Sequence, residues 1–332
     1  MRDVANLADV SFKTVSRVVN NEGGVSASLV KRVEDAVAEL GYRIDDRARN
    51  LRTRERSADT IGFVLVDVSN PFFGGLLRGI EEMASERGCL VLSGSTDRDP
   101  VREQQLIESF VGRRVDGLVI VYSGSNSLEL RSEAARGLPV VFLDLEPEGS
   151  TMDLVRSDHY GGAKLATEHL LAHGHTDIAF FADDGAVFSA TLRQQGFVDA
   201  MAEAGIDVSD NRMVTGSHSS DEWQSIVFDH LDSGPHPTAI FSAQNTITVG
   251  TIAALHARGL RNTIAQVGFD DIALADVLSP GITVVQQDPL ELGRRAAERL
   301  FARIDGEDGP PVKQIMASPL VERGSGEIRP LG

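Results

Sequence analysis

The chain has one cysteine and one tryptophan, and aromatic residues make up only 5% of its 332 positions. A lone thiol, Cys89, excludes an intrachain disulfide and any zinc site built from clustered cysteines; its ordinary role is that of a small buried hydrophobe. No run approaches the roughly 20 apolar residues needed to span a bilayer. The opening MRDVANLADV lacks the apolar stretch of an export signal. The expected setting is the cytoplasm, without membrane contact. Phosphate-cradling loops are missing as well: there is no G-x-x-x-x-G-K-[ST], no G-x-G-x-x-G after a strand and no G-x-S-x-G turn. Nothing in the motifs argues for an enzyme, a cofactor or a metal centre.

Positive charge is also scarce, with 32 Lys and Arg against 49 Asp and Glu and a net charge of −17. The distribution matters more than the sum. Residues 1–56 carry a net +2, and Arg43, Arg47, Arg49, Arg52, Arg54 and Arg56 crowd into fourteen positions, so the remainder holds −19. An acidic body repels a phosphate backbone. Any contact with nucleic acid is therefore confined to the first segment. With 42% apolar and 24% charged residues the composition is that of an ordinary globular protein, and the length calls for one small domain plus one or two larger ones.

What is present begins with three short helical patterns. Asp3 is placed to cap a helix over Val4–Ala8, Ser11 a second running to about Asn20, and Ser26 a third that stops at Gly41. Val15, Val18 and Val19 share one face of the second helix, and Val30, Val33, Val37 and Leu40 one face of the third. Phe12, Lys13, Ser16, Arg17 and Asn20 form an opposite, exposed stripe. Two short helices joined by a tight turn and braced by a third make a helix-turn-helix, whose second helix fits the major groove. Arg17 is suited to fork onto guanine, Lys13 to donate to base acceptors and Phe12 to touch a thymine methyl. Ser11, Thr14, Ser16, Asn20 and Ser26 are suited to phosphates, which set register. Helical spacing alone leaves a three-helix protein-interaction module equally open.

From Thr60 onward, apolar runs alternate with helical stretches. IGFVLVDV, CLVLSGST, DGLVIVY, LPVVFLD, DIAFFAD, TAIFSA, IAQVGFD and ITVVQQD read as strands, with helices over about 72–87, up to Gly112, over 161–173 and over 193–204. This is the signature of doubly wound parallel sheets. The strands are too many for one sheet, which implies two subdomains and a cleft outside the carboxyl ends of their strands.

The segment DVANLADVSFKTVSRVVNN...VSASLVKRVEDAVAELGY resembles the headpiece of the lactose/galactose repressor (LacI/GalR) family, whose pattern is DVA-x-x-AGVS-x-x-TVSRVLN...VS...RV-x-x-A-x-x-LGY. Asp9 stands where the family has Gly at the turn, and the chain begins several residues later than is usual. DDRARNLRTRER resembles the family's hinge, PNAAARSLRT, with Ile44 in place of the proline. The resemblance implies a helix that orders on DNA, with Ala48 and Leu51 on one face and Leu51 wedged into the minor groove. It also covers nearly all of residues 60–332, where it implies a core like that of periplasmic ribose-binding proteins. The implied division is a headpiece at 1–44, a hinge at 45–58 and an effector-binding, dimerising core at 59–332. The first subdomain takes about 59–157 and 289–317, the second about 158–286 and 318–332.

For the effector site the resemblance and the strand-end positions name Asn70, Phe72 and Phe73 in SNPFF, Asp144 in FLD, Arg193 in LRQQGF, Trp223 in DEW, Gln244 after TAIFSA, Asp270 in VGFDD, and Gln287 in QQDP. Opposed Asp and Arg with aromatic platforms suit a neutral polyhydroxyl compound. Leu145 stands where many sugar-binding relatives have Arg, so a nucleobase or modified sugar is a second expectation. The family carries an L-x-x-x-G-H like that around His169, His173 and His175, and a helix start like YGGAK, which makes both structural. The expected protein is a homodimeric, effector-controlled transcriptional regulator, acting as a repressor on a pseudo-palindromic operator in double-stranded DNA. The rivals are a solute-binding transport protein and an α/β enzyme of sugar metabolism.

Overall fold

The computed structural model describes residues 2–19, 23–40, 59–124, 128–147, 149–185, 187–209, 212–216 and 218–331. It divides into two units, 1–58 and 59–332. Asn20, Gly41 and the linker 45–58, with Ala48 and Leu51, lie outside the described residues.

In the first unit, α1 (Arg2–Leu7), α2 (Phe12–Val19) and α3 (Ala27–Glu39) enclose Val4, Ala5, Ala8, Val15, Val33 and Ala36. The turn after α1 passes through Asp9 at φ +48°, a left-handed conformation that Asp tolerates better than most residues. Arg32 of α3 closes the end of α1 by donating to the carbonyls of Ala8 at 2.7 Å and Asp9 at 3.1 Å. Those carbonyls have no partner within their own short helix, so the brace satisfies them and ties α3 to the turn. Three expectations are corrected. α1 begins at Arg2, so Asp3 lies within its first turn and does not cap it. Leu40 is 46% exposed because it sits past the last turn of α3, and Ala36 takes the inner position. Ser26 occupies the cap position of α3, but its hydroxyl meets that of Ser28 at 3.2 Å rather than a backbone amide.

The second unit is built on two six-stranded sheets. The first joins β1 (Thr60–Leu65), β2 (Leu90–Ser95), β3 (Leu118–Ile120), β4 (Val140–Leu143), β5 (Asp153–Ser157) and β11 (Lys313–Met316) in the order β11-β5-β4-β3-β1-β2, all parallel. The second joins β6 (Ile178–Ala182), β7 (Met213–Thr215), β8 (Ala239–Ser242), β9 (Ala265–Phe269), β10 (Thr283–Val285) and β12 (Leu320–Val321) in the order β12-β10-β9-β8-β6-β7, with only β12 antiparallel. The two orders are the same pattern repeated.

Both faces of each sheet are covered, which is why the strands read as unbroken apolar runs. Along β1, Ile61, Phe63 and Leu65 pack under α4 (Pro71–Glu86) and α11 (Pro289–Ile304), whereas Val64 packs on the other face with Ile107 and Phe110 of α5 (Pro100–Gly112) and Leu130 of α6 (Leu128–Ala135). In the second lobe, Phe180 packs with Phe197 of α8 (Phe188–Glu203) and with α7 (His159–Ala172). Phe181, on the opposite face, packs with Trp223 of α9 (Ser220–Asp232) and Ile247 of α10 (Asn245–Ala257).

The chain passes between the lobes three times, after β5, after β10 and between β11 and β12. Asp153 fastens the returning segment. Its buried carboxylate accepts from Arg299 Nε at 2.9 Å, Arg303 Nε at 2.8 Å and the Val312 amide at 2.7 Å. Helices α4 and α11 touch backbone to backbone through two glycines. A Cβ on Gly79 would stand 2.1 Å from the Leu290 carbonyl oxygen, and one on Gly293 2.2 Å from that of Leu76. Gly79→Ala must therefore part the helices, and urea denaturation of the variant is expected to show a loss of about 1–3 kcal/mol in stability.

Candidate effector cavity and DNA-reading helix

Parallel strands in both lobes aim their carboxyl ends at one cleft, which holds a cavity of about 630 Å³. From the first lobe it is lined by Asn70, Phe72 and Phe73 beyond β1, Arg98 beyond β2, Tyr122 beyond β3, and Asp144 and Glu146 beyond β4. The second lobe contributes Asp183 and Asp184 beyond β6, Phe188 and Arg193 on α8, and Gln244, Asp270 and Gln287 beyond β8, β9 and β10.

Arg193 organises the floor. Its guanidinium donates to the Ala243 carbonyl at 2.6 Å, lies 3.9 Å over the ring of Phe269 and reaches His159 Nδ1 at 3.2 Å. Because arginine only donates, His159 Nδ1 acts as acceptor, which leaves the ring proton on Nε2 facing Asp144 Oδ1 at 3.0 Å. Asp144 belongs to the other lobe, so this contact bridges the cleft. Two more bridges flank it. Arg98 meets Asp183 at 2.5 Å, and the amides of Asn70 and Asn245 exchange hydrogen bonds at 2.7 and 3.2 Å. Asp144 Oδ1 is answered by His159, but three other buried atoms on the cavity's side chains make no hydrogen bond: Arg193 Nε, Glu146 Oε2 and Gln287 Oε1.

Asp144 and Asp270 occupy equivalent places in the repeated sheets. Both have left-handed backbone, φ +64° and +72°, and both amides bond the neighbouring strand, to Val155 and Val285 respectively. The left-handed turn stops each strand at the cleft with a carboxylate at its tip. Asp270 accepts the side-chain amide of Gln287.

In the first unit, α2 presents Phe12, 44% exposed, beside exposed Lys13, and Val15 faces the core. Ser11 caps α2: its hydroxyl accepts the Thr14 amide at 3.1 Å and contacts the Thr14 hydroxyl at 2.8 Å. Ser16 is half-buried and Ser26 exposed. Arg17 donates to the Gly23 carbonyl and shields Gly24. Engaging a base requires its guanidinium to swing off that carbonyl or to use its remaining nitrogens.

Residues 58–322 match the family described as periplasmic binding proteins and sugar binding domain of the LacI family, and residues 1–45 match the bacterial regulatory proteins of the lacI family. The chain belongs to the LacI family. It is 33% identical over 329 residues to the ribose operon repressor of Escherichia coli K12, an alignment covering 98% of this chain and 99% of that protein. It is 30% identical over 309 residues to the repressor PurR of Pasteurella multocida, covering 92% of each. Among solved structures, the lac repressor dimer bound to operator and the anti-inducer ONPF matches with a TM-score of 0.86 at 28% identity, over 98% of both chains. As a LacI-family member, the protein is a DNA-binding transcriptional regulator.

The cavity of this LacI-family core gathers Asn70, Phe72, Phe73, Asp144, Arg193, Gln244, Asp270 and Gln287, eight of the nine residues named from sequence. Trp223 is the exception and must be corrected. It is fully buried in the second lobe, edge-on to Phe181, with its Cβ against Gly250. Its helix opens with a capping box between Ser219 and Glu222, and Trp223, Val227 and Leu231 repeat at intervals of four, which makes a core face. Phe72 also belongs largely to the core, and the Asn70 side chain accepts the Phe72 amide at 3.0 Å as the cap of α4.

Sequence reasoning missed Arg98, Asp183, Glu146, Tyr122 and His159. The first four follow apolar runs at strand ends, the same signal that picked out Asp144 and Asp270. His159 offered no local signal. The histidines of HLLAHGH are occupied within the fold: His175 bonds the Thr238 hydroxyl at 3.0 Å and the Ile328 carbonyl at 2.6 Å, His173 contacts the His169 carbonyl, and His169 faces Glu327. No His, Cys, Asp or Glu group among the described residues is arranged to hold a metal. Among those residues no helix is long and apolar enough to cross a membrane. Cys89 is half-buried, and burial with nearby Asp116 and Asp59 pushes its thiol up to about 11.

Burial holds His159, His175 and His230 below the ordinary histidine value of 6.5. Such a group refuses a proton that the unfolded chain accepts. Its stabilising effect is complete above 6.5 and declines as pH falls below it. For Asp144, burial opposes ionisation but the proton offered by His159 and the charges of Arg193 and Arg156 outweigh it, so its carboxyl lies below 3.8. That contribution is present above 3.8 and is lost as pH drops through the lowered value. The urea midpoint of the LacI-family core is expected to fall between about pH 7 and pH 5, and again in stronger acid; a midpoint flat across the first interval contradicts the histidine assignment.

Proposed function

We propose that this LacI-family protein is a repressor that binds a pseudo-palindromic operator as a homodimer, and that the cleft cavity is its effector site. The observation that carries the second part is the set of buried atoms on Arg193, Glu146 and Gln287 without hydrogen bonds. Buried polar groups are normally paired, so their position in the wall of a cavity supports a ligand that completes them. The neighbouring rings of Phe72, Phe73, Tyr122 and Phe188 suit the apolar face of a sugar. They equally suit a planar nucleobase, which is the second reading.

Phe12, Lys13 and Arg17 read base edges, and Ser11, Thr14, Ser16, Asn20 and Ser26 contact phosphates. Ala48 and Leu51 enter the minor groove from the hinge. Ligand binding alters the angle between the lobes and so the spacing of paired headpieces, a coupling of about 1–3 kcal/mol that must be reciprocal. The protein acts in the cytoplasm and catalyses no reaction.

Selection from random duplex DNA, with and without a panel of sugars and nucleobases, tests this. The expected outcome is enrichment of a palindrome whose affinity one compound changes. Arg17→Ala is expected to weaken that site by about 1–3 kcal/mol, the value of one forked base contact, and Arg193→Ala to abolish the response to the compound. Enrichment of no palindrome rejects the regulatory reading.

A further inference from the structure

Contacts that cross the cleft are ranked by the sheet order. The chain passes between the lobes at β5 and β11 of the first sheet and at β10 and β12 of the second, neighbouring strands at one side of each. Asp144 follows β4, beside that crossing, and meets His159, which opens the helix directly after β5. Asn70 and Asn245 follow β1 and β8, farther out. Arg98 follows β2, the last strand of its sheet, and Asp183 follows β6, the last but one of its own. Four strand spacings of about 4.8 Å put Arg98 about 19 Å from β5. A lobe rotation of about 10° about the crossing then moves it about 3 Å, against about 1 Å at Asp144. A hydrogen bond does not survive the larger displacement. The outermost pair parts first.

That pair is also the one most firmly prepared. Asp97 and Arg98 both have left-handed backbone, φ +53° and +61°, a conformation uncommon for arginine and kept where the surroundings enforce it. Here they do. Thr96 is fully buried, shares a 2.8 Å hydrogen bond with the Ser123 hydroxyl and accepts the Arg98 amide at 3.3 Å. Arg102 grips Asp97, and Asp99 caps α5 by accepting the Val101 amide at 2.8 Å. The locked turn aims Arg98 at Asp183, which is 7% exposed; one carboxylate oxygen accepts the Asp184 amide at 3.0 Å and the other accepts Arg98 at 2.5 Å. Both charges belong to the polypeptide, so the pair forms whether or not the cavity is filled.

We propose that Arg98 and Asp183 form a clasp at the free rim of the cleft, which holds the lobes closed before an effector arrives and whose release gates passage into the cavity. The gating role rests on the reading of the cleft as the effector site, and the closure does not.

Pulsed electron-spin distance measurement on the full chain, without ligand, tests the clasp. Spin labels replace the exposed residues Gln105 of α5 and Ala202 of α8 in a Cys89→Ser background. Labelled chains are diluted with unlabelled ones, so that only distances within one chain are read. The intact clasp is expected to give one narrow distance. Arg98→Met keeps a long unbranched side chain without the charge, and Asp183→Ala removes the carboxylate. Each is expected to lengthen the distance by about 3 Å, with circular dichroism reporting intact helices. The double variant is expected to go no further than either single one, because both act through one contact. Arg258→Met, which removes an ion pair within the second lobe, is expected to leave the distance unchanged. An unchanged distance in either single clasp variant, a double-variant shift equal to the sum of the two, or an equal shift in Arg258→Met overturns the clasp and leaves the effector site standing.

Discussion

An arginine keeps its proton inside a protein, so a buried guanidinium obliges its surroundings to supply acceptors. Arg193 imposes that demand at the floor of the cleft. The end of β8 answers with the Ala243 carbonyl, the start of α7 with His159 and β9 with the ring face of Phe269. Through His159 the demand reaches Asp144 in the other lobe. One charge thus ties together three elements of the second lobe and, through His159, one strand end of the first. Burial keeps His159 neutral, which lets it accept from arginine on one nitrogen and offer a proton to aspartate on the other.

The repetition of sheet order gives the site its logic. Equivalent strands β4 and β9 end in aspartates held by the same left-handed turn. One carboxylate is turned to lobe closure through His159, while its counterpart, Asp270, meets only a neutral amide. A single backbone device therefore yields an inter-lobe contact at one strand end and a cavity-lining carboxylate at the other. The acidic residues beyond β6 and the guanidinium beyond β2 follow the same geometry, since a parallel strand delivers its next residue to the cleft whatever its identity.

Much of this was legible in the chain. Strands covered on both faces must be apolar along their length, and β1, β4, β6 and β9 announced themselves as unbroken runs. β5 and β11 lie at or next to a sheet edge, and their sequences DLVRS and KQIM carry too little apolar character to stand out. Trp223 was misplaced because the family resemblance assigned it to the effector ring, whereas its four-residue spacing with Val227 and Leu231 marks a core face. Arg32 and His159 act on partners far away in sequence or in another lobe, and no local pattern encodes such contacts.

The three passages of chain between the lobes have a topological consequence. A lobe tethered by one strand can be traded between two copies of a protein by opening a single hinge. Here the second lobe enters after β5, leaves after β10 and is re-entered by β12, so trading it requires three segments to unthread together. The threading therefore opposes exchange of this lobe between copies, and the cleft is completed by residues of one polypeptide.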